Sequence, residues 1–155
     1  MGKLKLKHEQ ILKVLDRLHE SILDLKEIKK LTKEQLTILE QFNFFEKEKA
    51  YRTQRDSTIQ RFEFCTDLFW KYLKRHLTEK TKLLLEAGGP APVIRSAHKV
   101  KLLTEKDTEK ILQMIKDRNM SSHIYKEETA DQIVTNIPIY YELMKKYIDK
   151  LKPLD

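Results

Sequence analysis

The segment Arg118-Asn119-Met120-Ser121-Ser122-His123-Ile124-Tyr125 holds the residue types with the most chemistry to offer. Arginine presents a fixed fork of donors to phosphate oxygens. Histidine titrates near ~6.5 and moves protons at neutral pH. Tyrosine adds a hydroxyl open to modification. Such a set suits work on a nucleic acid or a nucleotide. RNA cleavage without a metal needs a base for the 2′-hydroxyl, an acid for the leaving 5′-oxygen and cations for the phosphorane charge. His123 and Arg118 are the candidates, and two histidines facing each other in a dimer would supply both base and acid. On a continuous helix, Asn119 and His123 share one face, and Arg118 and Ser122 share the neighbouring one. Arg118 and His123 stand about 140° apart around such a helix. To converge on one ligand they need the reach of the arginine, a helix end near Ser121-Ser122, or a second subunit. The same residues also allow a structural reading, with Arg118 capping a helix C-terminus and His123 an ordinary turn residue. On spacing alone that reading is the commoner one.

The elements that must position this segment are helical. Ile11, Leu15, Leu18, Ile22 and Leu25 form one apolar stripe, which predicts a helix from about His8 to Lys30. Thr32 and Gln35 form a capping box for a short helix to about Phe42. Phe42, Phe44 and Phe45 then form an aromatic cluster before the charged stretch Glu46–Tyr51, read as a loop or junction. A long helix is expected from about Thr53 to Leu85 on Ile59, Phe62, Leu68, Phe69, Tyr72, Leu73 and Leu77, with Trp70 in the core. Gly88-Gly89-Pro90-Ala91-Pro92 breaks it as a loop. A shorter helix covers Val93 to Leu102. Thr104 caps the next, with Asp107 at the capping-box position and Ile111, Met114 and Ile115 on its apolar face. The last helix runs from about Glu127 to Leu151, and Pro138 inside it should kink it. No useful period-2 stretch exists. The expected fold is all-α, an up-and-down bundle of four to five helices in a single domain over residues 1–155. Tyr140, Tyr141 and Tyr147 are expected to pack in the core or an interface.

Bulk properties set the outer bounds. Net charge is +7, and 35% of residues are charged. That favours polyanionic partners such as RNA, DNA, nucleotides or an acidic protein, although scattered lysines also serve solubility. The single cysteine, Cys65, excludes an internal disulfide and a cysteine zinc cage, and it reads as a core residue. A reducing cytoplasm fits. No secretory h-region and no membrane-spanning run is expected. The five histidines, His8, His19, His76, His98 and His123, are too dispersed for a metal site. Gly88-Gly89 is no P-loop, and no nucleophile elbow exists. Arg55 and Asp56, near the start of the long helix, read on their own as solvating and capping the helix entry.

Arg118-Asn119-x-x-Ser122-His123-x-Tyr125 resembles the Arg-x4-His-x-Tyr signature of the HEPN superfamily (higher eukaryotes and prokaryotes nucleotide-binding). It is most similar to the nucleotidyltransferase substrate-binding proteins, a group that overlaps with HepT-type toxins. Flanking blocks carry the resemblance further: Tyr51 to Trp70, including Arg55-Asp56-Ser57 and Gln60-Arg61-Phe62-Glu63-Phe64; the Gly/Pro loop followed by Val93 to Leu103; and Tyr125 to Ala130. The resemblance implies a HEPN-like bundle that forms a homodimer with the paired motifs in an interface cleft. It implies a minimal nucleotidyltransferase as partner in a two-component system, and neither a metal nor another cofactor. By position, Arg118 and His123 would be catalytic in a metal-independent RNase toxin. Asn119, Ser122, Arg55 and Asp56 would help bind RNA or nucleotide, with Ser122 placed to orient His123. Tyr125 would be the hydroxyl that the partner AMPylates. The same group also allows a noncatalytic subunit that presents a nucleotide or other substrate to the nucleotidyltransferase.

Overall fold

The structure is a computed structural model and describes residues 2–30, 47–80 and 88–153. Among these residues it contains α1 (Gly2–Lys29), α2 (Lys47–Lys80), α3 (Pro90–Lys99), α4 (Glu105–Met120), a 3-10 turn (Ser121–His123) and α5 (Glu127–Lys150). No strand occurs among them, as the missing period-2 patterning predicts. The short helix expected from Thr32, the aromatic cluster at Phe42–Phe45 and the end of the long helix at Leu85 lie outside the described residues.

Side-chain contacts fix the direction of each helix. Cys65 on α2 donates to the carbonyl of Val14 on α1, while Gln54 and Thr58 bond Ser21. Numbers rise on α1 as they fall on α2, so the pair is antiparallel. Tyr51 bonds Asp131, Phe62 stacks on Tyr140 and Tyr72 donates to Leu151 O, so α2 and α5 run parallel. Asp107 accepts from Tyr147 and Asp117 from Tyr140, so α4 opposes α5. The long helices therefore alternate up and down, and α3 bridges α2 to α4.

The stripe of α1 starts earlier than its apolar spacing suggests, because Leu4 and His8 extend it. The buried imidazole of His8 donates from Nε2 to Ile148 O at 3.0 Å. The core draws on all five helices, with Ile11, Phe62, Phe69, Ile94, Ile111, Met114, Ile137 and Met144 sealed at 0% exposure. Truncating either phenylalanine to alanine costs about 3–5 kcal/mol. Cys65 is buried as expected, and burial pushes its thiol up to about 12. Tyr140, Tyr141 and Tyr147 are likewise buried.

Three boundaries differ from the sequence expectation. Lys47–Arg52 is the first part of α2, not a loop, because Ala50 faces the core from a charged stretch without apolar period. Pro90-Ala91-Pro92 is the first turn of α3. Proline suits that place, where an N–H would lack an intrahelical partner anyway. The helix expected to reach Leu102 stops at Lys99. There Leu102 N–H bonds Ala97 O and Lys101 N–H bonds His98 O, a Schellman-type end. Lys101 takes φ 64°, the left-handed region that glycine usually fills.

Thr104 caps α4 as its sequence predicts, accepting from Asp107 N–H at 3.1 Å. The Asp107 carboxylate does not complete a capping box. It accepts from Lys146 and Tyr147 on α5, which ties the start of α4 to the end of α5. α5 continues through Pro138, whose missing N–H leaves one rung of the helix unmade.

Candidate functional site

The end of α4 is held from two sides before the chain turns. Asp117 accepts from Tyr140 at 2.6 Å and from Asn136 at 3.3 Å, both on α5. Burial, reinforced by Asp117, raises the Tyr140 hydroxyl above its ordinary range. Arg118 faces α2. Its Nε and Nη2 donate to the two carboxylate oxygens of Asp67 at 3.1 and 3.2 Å, and Nη1 donates to Glu63 at 2.9 Å. Nη1 also reaches Ser121 Oγ at 3.2 Å, so four of the five N–H donors are engaged. The Asp67 fork is the main reason the guanidinium binds its proton more tightly than usual. Two carboxylates thus surround one guanidinium.

Beyond Met120 the helix tightens into the 3-10 turn. Buried Ser121 donates to Arg118 O at 2.6 Å, and Ser122 donates to Asn119 O at 3.2 Å. Ser122 therefore braces the helix end and makes no bond to His123. Tightening from about 100° to about 120° per residue carries His123 farther around the axis from Arg118, not back towards it. The helix end expected to help the two converge has the opposite effect. One chain alone does not join them: Arg118 is fastened to α2, and His123 is exposed on the turn.

His123 meets Tyr125 instead. Its Nδ1 lies 3.3 Å from the Tyr125 hydroxyl, and the rings approach edge-on with centroids 5.8 Å apart. Tyr125 is 73% exposed, the most open of the large apolar and aromatic side chains among the described residues. Lys126 places its ammonium 5.9 Å from the tyrosine ring. Partly buried Ile124 packs against the core between the two exposed rings and anchors the turn. An imidazole within hydrogen-bonding distance of an open phenol can take or return that phenol's proton.

Arg55 and Asp56 sit at a second cluster. Arg55 is buried, which the solvated-entry reading did not expect. It donates to Asp56 at 3.0 Å, to Asp131 at 3.1 Å and to Glu127 at 2.5 Å. Burial works against its charge, but the bonds to Glu127, Asp56 and Asp131 outweigh it and hold the proton more firmly than usual. Those bonds pin the first turn of α5, immediately after Tyr125, to α2. Asp56 serves the same clamp.

Sequence reasoning missed the other wall of the site. A groove of about 340 Å³ lies between α2, α3 and α4, lined by Thr66, Asp67, Trp70, Lys71, Pro90, Ile115, Arg118 and Asn119. Trp70, expected in the core, is half-buried at this groove. Glu63, Asp67 and Trp70 are spaced four and three apart and share one face of α2, the only sequence signal for the groove wall. Among the described residues, no group of three or more His, Cys, Asp or Glu side chains could hold a metal ion. No helix among them is long and apolar enough to cross a membrane.

The all-α bundle by itself defines only a broad class. Residues 9–153 match the family described as "Nucleotidyltransferase substrate binding protein like", and the chain belongs to that family. It is also similar to the crystal structure of a protein from Thermus thermophilus, with a TM-score of 0.62 and 30% identity over 88% of this chain and 99% of that one. A search of curated proteins finds no match.

Proposed function

We propose that this chain is the helical partner of a nucleotidyltransferase. In this reading it cuts RNA without a metal at the His123 corner and is silenced when the partner modifies Tyr125. The observation that carries the reading is the 3.3 Å contact between His123 Nδ1 and the Tyr125 hydroxyl on an exposed turn. His123 takes the 2′-hydroxyl proton, and the oxygen attacks the adjacent phosphorus. The 5′-oxygen leaves with a proton from the His123 of a second copy in a homodimer. Arg118 steadies the phosphate through the N–H that its carboxylate partners leave over. Asn119 and Ser122 flank the strand, and the Arg55–Asp56 clamp ties the start of α5 to α2 as part of the scaffold.

The same contact gives the partner a prepared acceptor. The Tyr125 oxygen attacks the α-phosphorus of ATP, His123 takes the phenolic proton, and pyrophosphate leaves. The new phosphodiester then stands beside the imidazole, where its charge and bulk keep an RNA phosphate away. A second reading rests on a different observation. Glu63 and Asp67 together outweigh the charge of Arg118, which weakens it as a phosphate anchor and favours a noncatalytic subunit that presents a nucleotide to the nucleotidyltransferase.

Incubation with the nucleotidyltransferase and ATP, followed by peptide mass spectrometry and an RNA cleavage assay, tests the reading. A nucleotidyl adduct on Tyr125, accompanied by loss of cleavage, is expected. An adduct elsewhere, or cleavage unaffected by complete modification of Tyr125, overturns it.

A further inference from the structure

We propose that the groove between α2, α3 and α4 binds one adenine nucleotide, with the base against Trp70 and the phosphate at Lys71. The proposal rests on the reading that this corner of the bundle handles nucleotides. It assigns them a subsite beside Arg118, away from the His123–Tyr125 turn.

The size of the groove fits one nucleotide. At about 340 Å³ it falls at the low end of small-molecule sites, roughly 300–1,000 Å³. The aromatic surface is in the right place. Phe62, Phe69 and Tyr72, the inward rings of α2, are sealed at 0% exposure, whereas Trp70 turns part of its indole into the groove. Stacking a base on such a ring is worth about 1–3 kcal/mol. Lys71, exposed and with its ammonium 5.8 Å from the indole centroid, can swing on its flexible stem to meet a phosphate at the rim.

The polar groups choose the base and the number of phosphates. Asn119 is exposed on the groove edge, and its side-chain amide has no hydrogen-bond partner among the described residues. A carboxamide pairs with adenine through the N6 donor and N7 acceptor together. Thr66 lies fully buried at the wall of the groove, and its hydroxyl has no hydrogen-bond partner. Arg118 and Lys71 face Asp67 and nearby Glu63, so the local charges cancel. A balanced groove suits a monophosphate better than a triphosphate. The base can come from free AMP or from an adenosine in single-stranded RNA, since both offer the same ring and phosphate.

Trp70 is the only tryptophan in the chain, so its fluorescence reports on this groove alone. The whole chain is titrated with AMP, adenosine, CMP, inorganic phosphate and a 2′-O-methyl oligoadenylate that cannot be cleaved. Heats of binding are measured in parallel. AMP is expected to quench Trp70 saturably, more tightly than CMP, and phosphate to leave it unchanged. Lys71→Ala, an exposed substitution, should weaken AMP about tenfold and leave adenosine unaffected. Asn119→Ala should erase the preference for AMP over CMP. Tighter binding of oligoadenylate supports the site with a strand as its source, and binding of AMP alone supports it with the free nucleotide. Absence of both quenching and heat with AMP and oligoadenylate overturns the proposal, as does an equal response to phosphate alone. RNA cleavage lost in His123→Ala without any adenine response would remove the groove and leave the proposed function. An adenine response without cleavage or Tyr125 modification would do the reverse.

Discussion

Arg55 and Arg118 are two arginines placed alike and exposed differently. Each ties α2 to the segment around the turn, and each is ringed by carboxylates. The Arg55 side chain is 2% exposed and meets three carboxylates, Asp56, Glu127 and Asp131. The Arg118 side chain is 28% exposed, meets two and borders an open groove. A sealed guanidinium holds structure together, because any new ligand would have to displace all three of its partners to reach it. A guanidinium at the edge of a groove, with a donor to spare, can exchange partners at modest cost. On the proposed reading Arg55 serves the scaffold, and Arg118 is the arginine placed to meet a ligand.

The largest expected effect separates the two arginines by assay. Arg118→Ala should lower RNA cleavage by about 10²–10³, the usual loss for a phosphate-stabilising donor, and change unfolding stability by under ~1 kcal/mol. Arg55→Met should do the opposite. It should cost about 2 kcal/mol in urea unfolding, below the ~3–5 of a fully buried pair because its carboxylate partners are half exposed. Equal stability losses in the two variants would erase the distinction. Asp67→Asn sharpens it, because relieving Arg118 of its bidentate partner should tighten RNA binding by a few fold in a filter-binding assay. A weaker complex would mean that Asp67 positions Arg118 and does not compete for it.

A smaller effect concerns pH, far from either arginine. Burial, with a contribution from nearby Lys80, lowers the pKa of His76, and its Nδ1 is buried without a partner. The unfolded chain then binds more protons than the folded one below about 6.5. The stability contribution is present above that pH and lost as pH falls through the lowered folded value. Melting temperature should drop by a few degrees between pH 7.5 and 5.5, and His76→Gln should flatten the slope.

Much of the fold is legible because helix period and burial coincide. The spacing on α5 and the Thr104 cap place two helix starts where they lie, and the spacing on α1 finds its end but not its start, which comes at Gly2 and not at His8. Two of the misses share one cause, in that local pattern carries no tertiary partner. Lys47–Arg52 has no apolar stripe, so its helical state is invisible until Ala50 meets the core. Trp70 has the period of a core residue, and periodicity cannot tell a core from a groove wall. The site was legible as residue types but not as pairings. Arg118 reaches Glu63 and Asp67 more than fifty positions away, a partnership that no spacing encodes. His123 and Tyr125 are two apart, a separation at which helical residues do not face each other, and they meet in the turn that Lys126 N–H closes on His123 O.

RNA cleavage by the purified chain in EDTA, wild type beside His123→Ala, tests the central claim most directly, with Arg55→Met held below its melting range as the scaffold control. Wild type and the Arg55 variant are expected to cut, and His123→Ala to lose about 10²–10⁴ of the rate. An intact RNA with wild type, or equal cutting by His123→Ala, would contradict the account.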